Sequence, residues 1–261
     1  MAKTTKAKWP DGLAIEQRIN LAKYKVKKLV DHLRHVIAIH ESNKILVYSD
    51  ALSKQIPQSY GAHTFNLLQD SQYRYELVRL CALWDASQPD RESIPTIVTL
   101  ISDDDIRKAL VKETEDHWVD LTATYLPADQ NYDDETRRAI DASIRTSEQE
   151  FGAKEARKAH RWLKSAEKMV ERVRKCPRFL ALIDMRNHHV AHNLSAGAKK
   201  KAHHATSKYG DENWLLELSI RIVDRLNLGV CGSSFGWDDS RRIAEKQARA
   251  FWNGVTIEVL Q

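Results

Sequence analysis

The 261 residues include 41 Lys and Arg against 36 Asp and Glu, a net charge of +5, and 42% are hydrophobic, a balance that excludes an intrinsically disordered chain. With only 9 Gly and 6 Pro, the turns of an all-β fold are too few, and no apolar run reaches the roughly 20 residues of a transmembrane helix. Three widely spaced cysteines predict neither a disulfide framework nor a zinc site. We therefore expect an all-α cytoplasmic protein without a membrane partner.

Helical periodicity of the apolar residues predicts the elements in chain order. Residues 1–12 are expected to be a basic flexible tail, residues 13–230 a helical domain, and residues 231–261 a loop plus helix packing on that domain. The first predicted helix starts at residue 13, with Asp11 as its cap. Two short helices are predicted after Ser93 and after Pro177. The other predicted helices cover residues 60–85, 103–126, 134–175, 214–228 and 238–252, the last with Asp238 as its cap.

Two of these segments carry a further expectation. The helix over 60–85 has little polar surface and is predicted to be the central, buried helix. Residues 214–228 contain an apolar alternation that a strand would also show, and residues 255–260 could form a short strand.

The net charge conceals a strong asymmetry along the chain. Residues 101–150 contain 6 basic and 14 acidic residues, a net charge of −8, whereas residues 151–210 contain 15 basic and 4 acidic residues, a net charge of +11. Such a positive block attracts polyanions. Its candidate RNA-binding residues are Lys164, Lys168 and Arg172 on the helix over 134–175, together with Lys199, Lys200 and Lys201 in a polar loop. A merely solvated basic face is the alternative.

The greatest concentration of reactive groups is the stretch from Ile183 to Asn193, which contains one arginine, two amides and three histidines. Histidine can take a proton from a ribose 2′-OH near neutral pH. Arginine can bind the phosphate oxygens where charge builds in the transition state. Asn187 could fix the phosphate or orient an imidazole. These groups suit RNA cleavage without a metal or another cofactor.

The spacing of Arg186 and His192 predicts a dimer. Six residues of regular helix turn the second side chain about 120° away from the first, so that one chain does not easily aim both at one atom. Across a two-fold axis, each arginine can meet the histidine of the other chain in one cleft. We therefore expect a homodimer with a composite site.

Three other interpretations remain open at this stage. His188 and His192 have the i, i+4 spacing of a zinc-binding pair, although no Cys, Asp or Glu nearby in sequence completes the set. Histidines near a helix C-terminus also interact favourably with the helix dipole, which explains His188 and His189 without a catalytic role. Arg186 could form a structural salt bridge, for example with a residue of the acidic block over 101–150.

The motif resembles a known signature. Arg186 and Asn187, followed by His192 after five intervening positions on a late helix, are similar to the motif of HEPN (higher eukaryotes and prokaryotes nucleotide-binding) domains. The upstream stretches over residues 79–85 and 91–97 resemble the AbiU branch of phage abortive-infection proteins. The resemblance covers about residues 25–230 and leaves the loop over 199–208 and the tail after Gly229 unexplained.

The resemblance implies a helical bundle with long antiparallel helices that dimerises and acts as a metal-independent endoribonuclease, often as a toxin in phage defence. It assigns phosphate binding to Arg186, polar support to Asn187 and acid/base chemistry to His192. The motif does not require His188 and His189, which we place among the RNA-binding candidates. A cognate antitoxin or another defence protein is the expected partner. The alternative is a non-catalytic module that holds RNA, a nucleotide or a partner protein.

Overall fold

A computed structural model describes residues 9–119, 132–187 and 208–258. In these residues the elements are all helical, which confirms the all-α class. A 3₁₀ turn at Ser53–Gln55 follows the first helix, and a π-helical turn at Asn227–Cys231 extends the seventh. The eight α-helices are α1 Ile15–Leu46, α2 Tyr60–Ala82, α3 Ile94–Leu100, α4 Asp104–Asp116, α5 Asp134–Arg174, α6 Pro177–Met185, α7 Asp211–Leu226 and α8 Trp237–Trp252.

Helix α1 is the centre of the bundle. It packs against α2, α3, α4, α7 and α8, and its residues Ala22, Val26, Leu29 and Leu33 are fully buried. The helix begins at Ile15, so the prediction that Asp11 caps it is wrong. Asp11 instead lies 3.9 Å from the guanidinium of Arg18, which is buried and donates through Nε to the carbonyl of Leu100 at the end of α3.

Helix α2 is buried on one face only, so its prediction as the central, buried helix is wrong. Glu76, Leu77 and Leu80 face the core, whereas Leu67 and Tyr75 on the opposite face are 66% and 45% exposed. The number of apolar residues in a helix does not show which of its two apolar faces packs against the core. The outward face of α2 therefore exposes apolar side chains such as Leu67, while Tyr75 on the same face contacts His35 of α1.

Helices α4 and α5 form a closely packed antiparallel pair. The predicted helix over 134–175 is confirmed as Asp134–Arg174, with the Asp133 carboxylate accepting from the amide of Thr136 (2.7 Å). Helix α4 ends at Asp116, so the prediction of a helix to about residue 126 is wrong. A Cβ at Gly152 would lie 2.8 Å from the carbonyl oxygen of Glu115, and glycine thus permits the close crossing of the two helices.

The C-terminal part is helical as well. Residues 211–226 form α7, which decides between helix and strand for this segment, and residues 255–258 do not form a strand. Helix α8 packs along α1. Its cap position is Gly236, with Asp238 inside the first turn, so the prediction of Asp238 as the cap is wrong.

The contact between α1 and α2 contains a histidine, His32, whose pKa in the folded protein differs from its ordinary value. Burial, and then the positive charges of Arg79 and His35, lower the pKa of His32 from 6.5 to about 4. Below pH 6.5 the unfolded chain therefore binds a proton that the folded chain does not bind until about pH 4, so this contribution to stability is lost as the pH falls through that range. Because His32 is partly exposed, we expect a loss of about 1 kcal/mol between pH 7 and pH 5.

Urea unfolding at the two pH values measures this effect. The variant His32→Leu should lose less stability on acidification than the wild-type protein, while His63→Leu, at an exposed position of α2, should follow the wild type. An unchanged pH dependence in His32→Leu would contradict the assignment.

Candidate functional site

The C-terminal end of α6 presents Arg186, and packing fixes that end. Pro177 occupies the first turn of α6, where its missing N–H costs nothing. Phe179 and Leu182 are buried, and the Phe179 ring lies 5.2 Å from the ring of Trp84. Met185 contacts the hydroxyl of Tyr73 through its sulfur (3.9 Å). Arg186 therefore emerges from a helix that is anchored over its whole length.

The guanidinium of Arg186 is held by two side chains. Its Nη1 donates to Oδ1 of Asp85 (2.7 Å), and its Nε donates to Oδ1 of Asn187 (3.0 Å). The side chain is 19% exposed. The salt bridge that the sequence left open as an alternative is thus present, but its partner is Asp85 and not a residue of the acidic block over 101–150.

Asp85 also binds a second arginine. Its other oxygen, Oδ2, lies 2.9 Å from Nη1 of Arg91, a side chain that is 40% exposed. The buried thiol of Cys81 lies near this group, and burial raises its pKa to about 12, so that it stays neutral at physiological pH. One carboxylate thus joins two guanidinium groups at the end of α6.

The structure brings together only some of the predicted site residues. Arg186 and Asn187 are adjacent and hydrogen-bonded, whereas Lys164, Lys168 and Arg172 lie on α5. The remaining predicted residues, and with them the acid/base assignment and the zinc pair, lie outside the described residues: His188, His189, His192, Lys199, Lys200 and Lys201.

Six exposed cations of α5 form one continuous stripe, which we call the basic stripe. At 100° per residue they fall within a sector of about 80°, opposite the buried residues Leu163 and Val170, and extend over ~27 Å. No acidic group of the described residues lies within ion-pair distance of any of them. Apart from Lys164, whose charge acts on Asp104, the stripe therefore presents cations of the kind that phosphate backbones neutralise. Its members are Lys154, Arg157, Arg161, Lys164, Lys168 and Arg172.

A buried polar cluster supports the residues on either side of the segment over 188–207. The carboxyl group of Glu76, 0% exposed, shares hydrogen bonds with Nδ1 of His40 (2.6 Å), Nδ2 of Asn43 (2.7 Å) and the hydroxyl of Tyr48 (3.2 Å). The ring of Tyr209 lies 6.5 Å from that of Tyr48 and 5.6 Å from that of Tyr73. Since Tyr73 also contacts Met185, both flanks of the segment rest on one cluster.

Sequence reasoning did not assign a role to Asp85, Arg91 or Glu76. A charged residue inside the apolar pattern of Tyr73, Leu77 and Leu80 was a usable signal for Glu76, because a buried carboxyl group needs partners. No comparable local signal exists for Asp85 and Arg186, which are 101 positions apart.

Two features are absent from the described part of the chain. No group of three or more His, Cys, Asp or Glu side chains there is placed to hold a metal ion. No helix of that part combines the length and the apolar character that crossing a bilayer requires.

One comparison with known proteins identifies the family of the chain. No significant match was found among curated proteins or among solved structures. A family model described as AbiU2, of the HEPN type, matches residues 23–251. The match includes both Asp85 and Arg186, and it continues past residue 230 through most of α8, which the motif resemblance had left unexplained. The chain therefore belongs to the AbiU2 family of HEPN-domain proteins.

Proposed function

We propose that this protein is a metal-independent endoribonuclease of the HEPN type that acts in phage defence. The observation that carries the proposal is Arg186, which resembles the arginine of the HEPN motif and whose partly exposed guanidinium is held by Asp85 and Asn187. Arg186 lies within residues 151–210, which have a net charge of +11 and include the basic stripe. Both features support an RNA substrate.

Each motif residue has a defined role in the proposed reaction. His192 takes the proton of a ribose 2′-OH, whose oxygen attacks the adjacent phosphorus and expels the 5′-oxygen of the next nucleotide, which takes up a proton from water. Arg186 stabilises the charge that builds on the phosphate oxygens, and Asn187 holds the guanidinium in place. The products are a 2′,3′-cyclic phosphate and a 5′-hydroxyl end. DNA, which lacks the 2′-OH, is not a substrate.

Purified protein incubated with RNA in EDTA tests the proposal. Fragments with 2′,3′-cyclic phosphate ends, and intact DNA in a parallel reaction, are the expected result. Loss of all activity on chelation would instead support the metal interpretation of His188 and His192.

The composite site requires a second copy of the chain, and α2 offers a face for it. One exposed stripe of α2 carries no charge, although the Asp70–Arg74 ion pair lies beside it, and the stripe ends three residues before Asp85. A solvated helix face in a chain with 30% charged residues is expected to carry charges. We call this face the outer stripe of α2; it comprises Tyr60, Thr64, Leu67, Leu68, Ser71, Tyr75, Val78 and Ala82.

A two-fold axis across the outer stripe fits the proposed site. A two-fold axis parallel to α2 pairs the outer stripe with its copy in parallel and leaves the two Asp85–Arg186 pairs at the same end of the interface. Both Arg186 side chains are then close to the same end of the interface, as a composite site requires. The outer stripe is therefore the proposed dimer face.

The variant Leu67→Glu tests this face. A carboxylate buried twice in a two-fold interface costs several kcal/mol, so we expect the dimer to dissociate into monomers at micromolar concentration. Ile243→Glu is the matched control, because Ile243 on α8 is 55% exposed but lies outside the outer stripe. Light scattering after gel filtration measures both. A dimer that persists in Leu67→Glu would exclude this face.

A second candidate function is favoured by the ion pair itself. If the Asp85–Arg186 pair is purely structural, the protein is a non-catalytic module that binds RNA along the basic stripe. Such a module would retain RNA and release it intact. Recovery of full-length RNA after prolonged incubation with a stable, RNA-bound protein would favour this function over the first.

A further inference from the structure

The loop between α2 and α3 fixes the backbone of Asp85 independently of its side-chain contacts. The amide of Ile94 donates to the carbonyl of Leu83 (2.8 Å), and the hydroxyl of Ser93 donates to the carbonyl of Asp85 itself (2.9 Å). Ser93 is 1% exposed, so these bonds are shielded from water. The carboxylate of Asp85 is thus presented to Arg186 by a closed and well-anchored turn.

The two oxygens of this carboxylate contact different guanidinium groups. Oδ1 accepts from Arg186 and Oδ2 lies beside Arg91, at 2.7 and 2.9 Å. Two non-bridging oxygens of a phosphodiester present the same pattern of acceptors to a pair of arginines. Asp85 therefore stands where a phosphate group would be bound.

The charges in direct contact with the Asp85 carboxylate do not balance. Two guanidinium groups share one carboxylate, and Cys81 adds no negative charge because its thiol is neutral. Lys25 on α1 adds a further cation: it is only 4% exposed, its Nζ donates to the carbonyl of Arg91 (2.9 Å), and no carboxylate of the described residues pairs with it. A largely buried lysine without a counter-ion is costly unless an anion binds nearby.

We propose that Arg91 and Arg186 form a two-arginine clamp for one phosphate group of RNA, with Asp85 as the internal carboxylate that occupies the clamp when no RNA is bound. The incoming phosphate displaces Asp85 from Arg91, because Arg91 is 40% exposed and its ion pair is the weaker of the two in water. Lys25 supplies long-range attraction from beneath the loop. The clamp extends the proposed ribonuclease site and assigns a phosphate-binding role to Arg91, which lies outside the family motif.

Binding of a 2′-O-methylated oligoribonucleotide of mixed sequence tests the clamp, because the methyl group removes the nucleophile and prevents cleavage. We expect Arg91→Gln to weaken binding about tenfold and to reduce the salt dependence by about one phosphate contact. Asp85→Asn removes the competing carboxylate and should tighten binding about tenfold. Asp90→Asn, an exposed position in the same loop, changes the net charge equally and should alter binding less than about twofold.

Equal effects of Asp85→Asn and Asp90→Asn would show general electrostatics and overturn the clamp. So would unchanged binding by Arg91→Gln, which is decisive even where Asp85→Asn does not fold. The outcomes separate the two proposals. If the variants bind as the clamp predicts but unmodified RNA is not cleaved, the clamp is supported and the ribonuclease proposal is excluded. If the Arg91→Gln variant cleaves RNA and binds it with unchanged affinity, the ribonuclease proposal is supported and the clamp is excluded.

Discussion

Replacing Arg186 with alanine is expected to reduce the rate of RNA cleavage by about a thousandfold, the range seen when a group that stabilises transition-state charge is removed. His192→Ala should have an effect of similar size through loss of the acid/base. Binding of RNA along the basic stripe should fall much less, because six other cations remain there. Cleavage of a labelled RNA under single-turnover conditions measures the chemical step directly.

The control is Arg178→Ala on the same helix. Arg178 also forms an ion pair, with Asp211, and its guanidinium lies over the ring of Trp214. The Arg178→Ala variant is expected to be less stable than the wild-type protein but to cleave RNA at a similar rate as long as it is folded. If Arg178→Ala and Arg186→Ala reduce cleavage equally and in proportion to their stability, the role of Arg186 is structural and the non-catalytic module is the better explanation.

Mixing the two inactive variants distinguishes a composite site from a site within one chain. A heterodimer of Arg186→Ala and His192→Ala contains one cleft in which both groups are missing and one in which both are present. With random exchange of subunits, about a quarter of the wild-type activity should return. No recovery would mean that the arginine and the histidine of one chain act together.

Local features of the sequence were sufficient to predict most helices. The start of α5 follows from Asp133 and its length from an apolar repeat at helical spacing, and the start of α3 follows from Ser93, whose side chain accepts from the amide of Thr96. These signals act within a few residues. Which face of a helix is covered depends on packing against distant parts of the chain. The prediction of α2 as the central helix was therefore wrong, and Leu67 on its outer stripe is exposed.

The site was predicted in the same partial way. The motif gave Arg186 and Asn187, because their residue types and spacing are a local property. It did not give Asp85 or Arg91, because their contact with Arg186 depends on how α2, α3 and α6 pack. The seven-residue α3 and the closed turn before it bring these groups together, and neither periodicity nor charge in the sequence encodes that approach.

Glu76→Leu is expected to destabilise the protein by about 3–5 kcal/mol. The substitution removes the buried carboxyl group that shares hydrogen bonds with His40, Asn43 and Tyr48, and leaves polar atoms of His40 and Tyr48 beside a methyl group. Urea unfolding monitored by circular dichroism gives the free energy. Glu76→Gln keeps the shape and part of the hydrogen bonding, so its cost should be about 1–2 kcal/mol.

Asp70→Leu on the same helix is the matched control. Asp70 pairs with Arg74 at the surface (2.7 Å), with both side chains nearly half exposed, and its loss should cost less than about 1 kcal/mol. Since Glu76 supports Tyr48 and lies beneath the contacts of Tyr73 with Met185 and Tyr209, Glu76→Gln should also slow RNA cleavage while the protein remains folded. A fully active, fully stable Glu76→Leu variant would show that the cluster neither supports the bundle nor positions the motif.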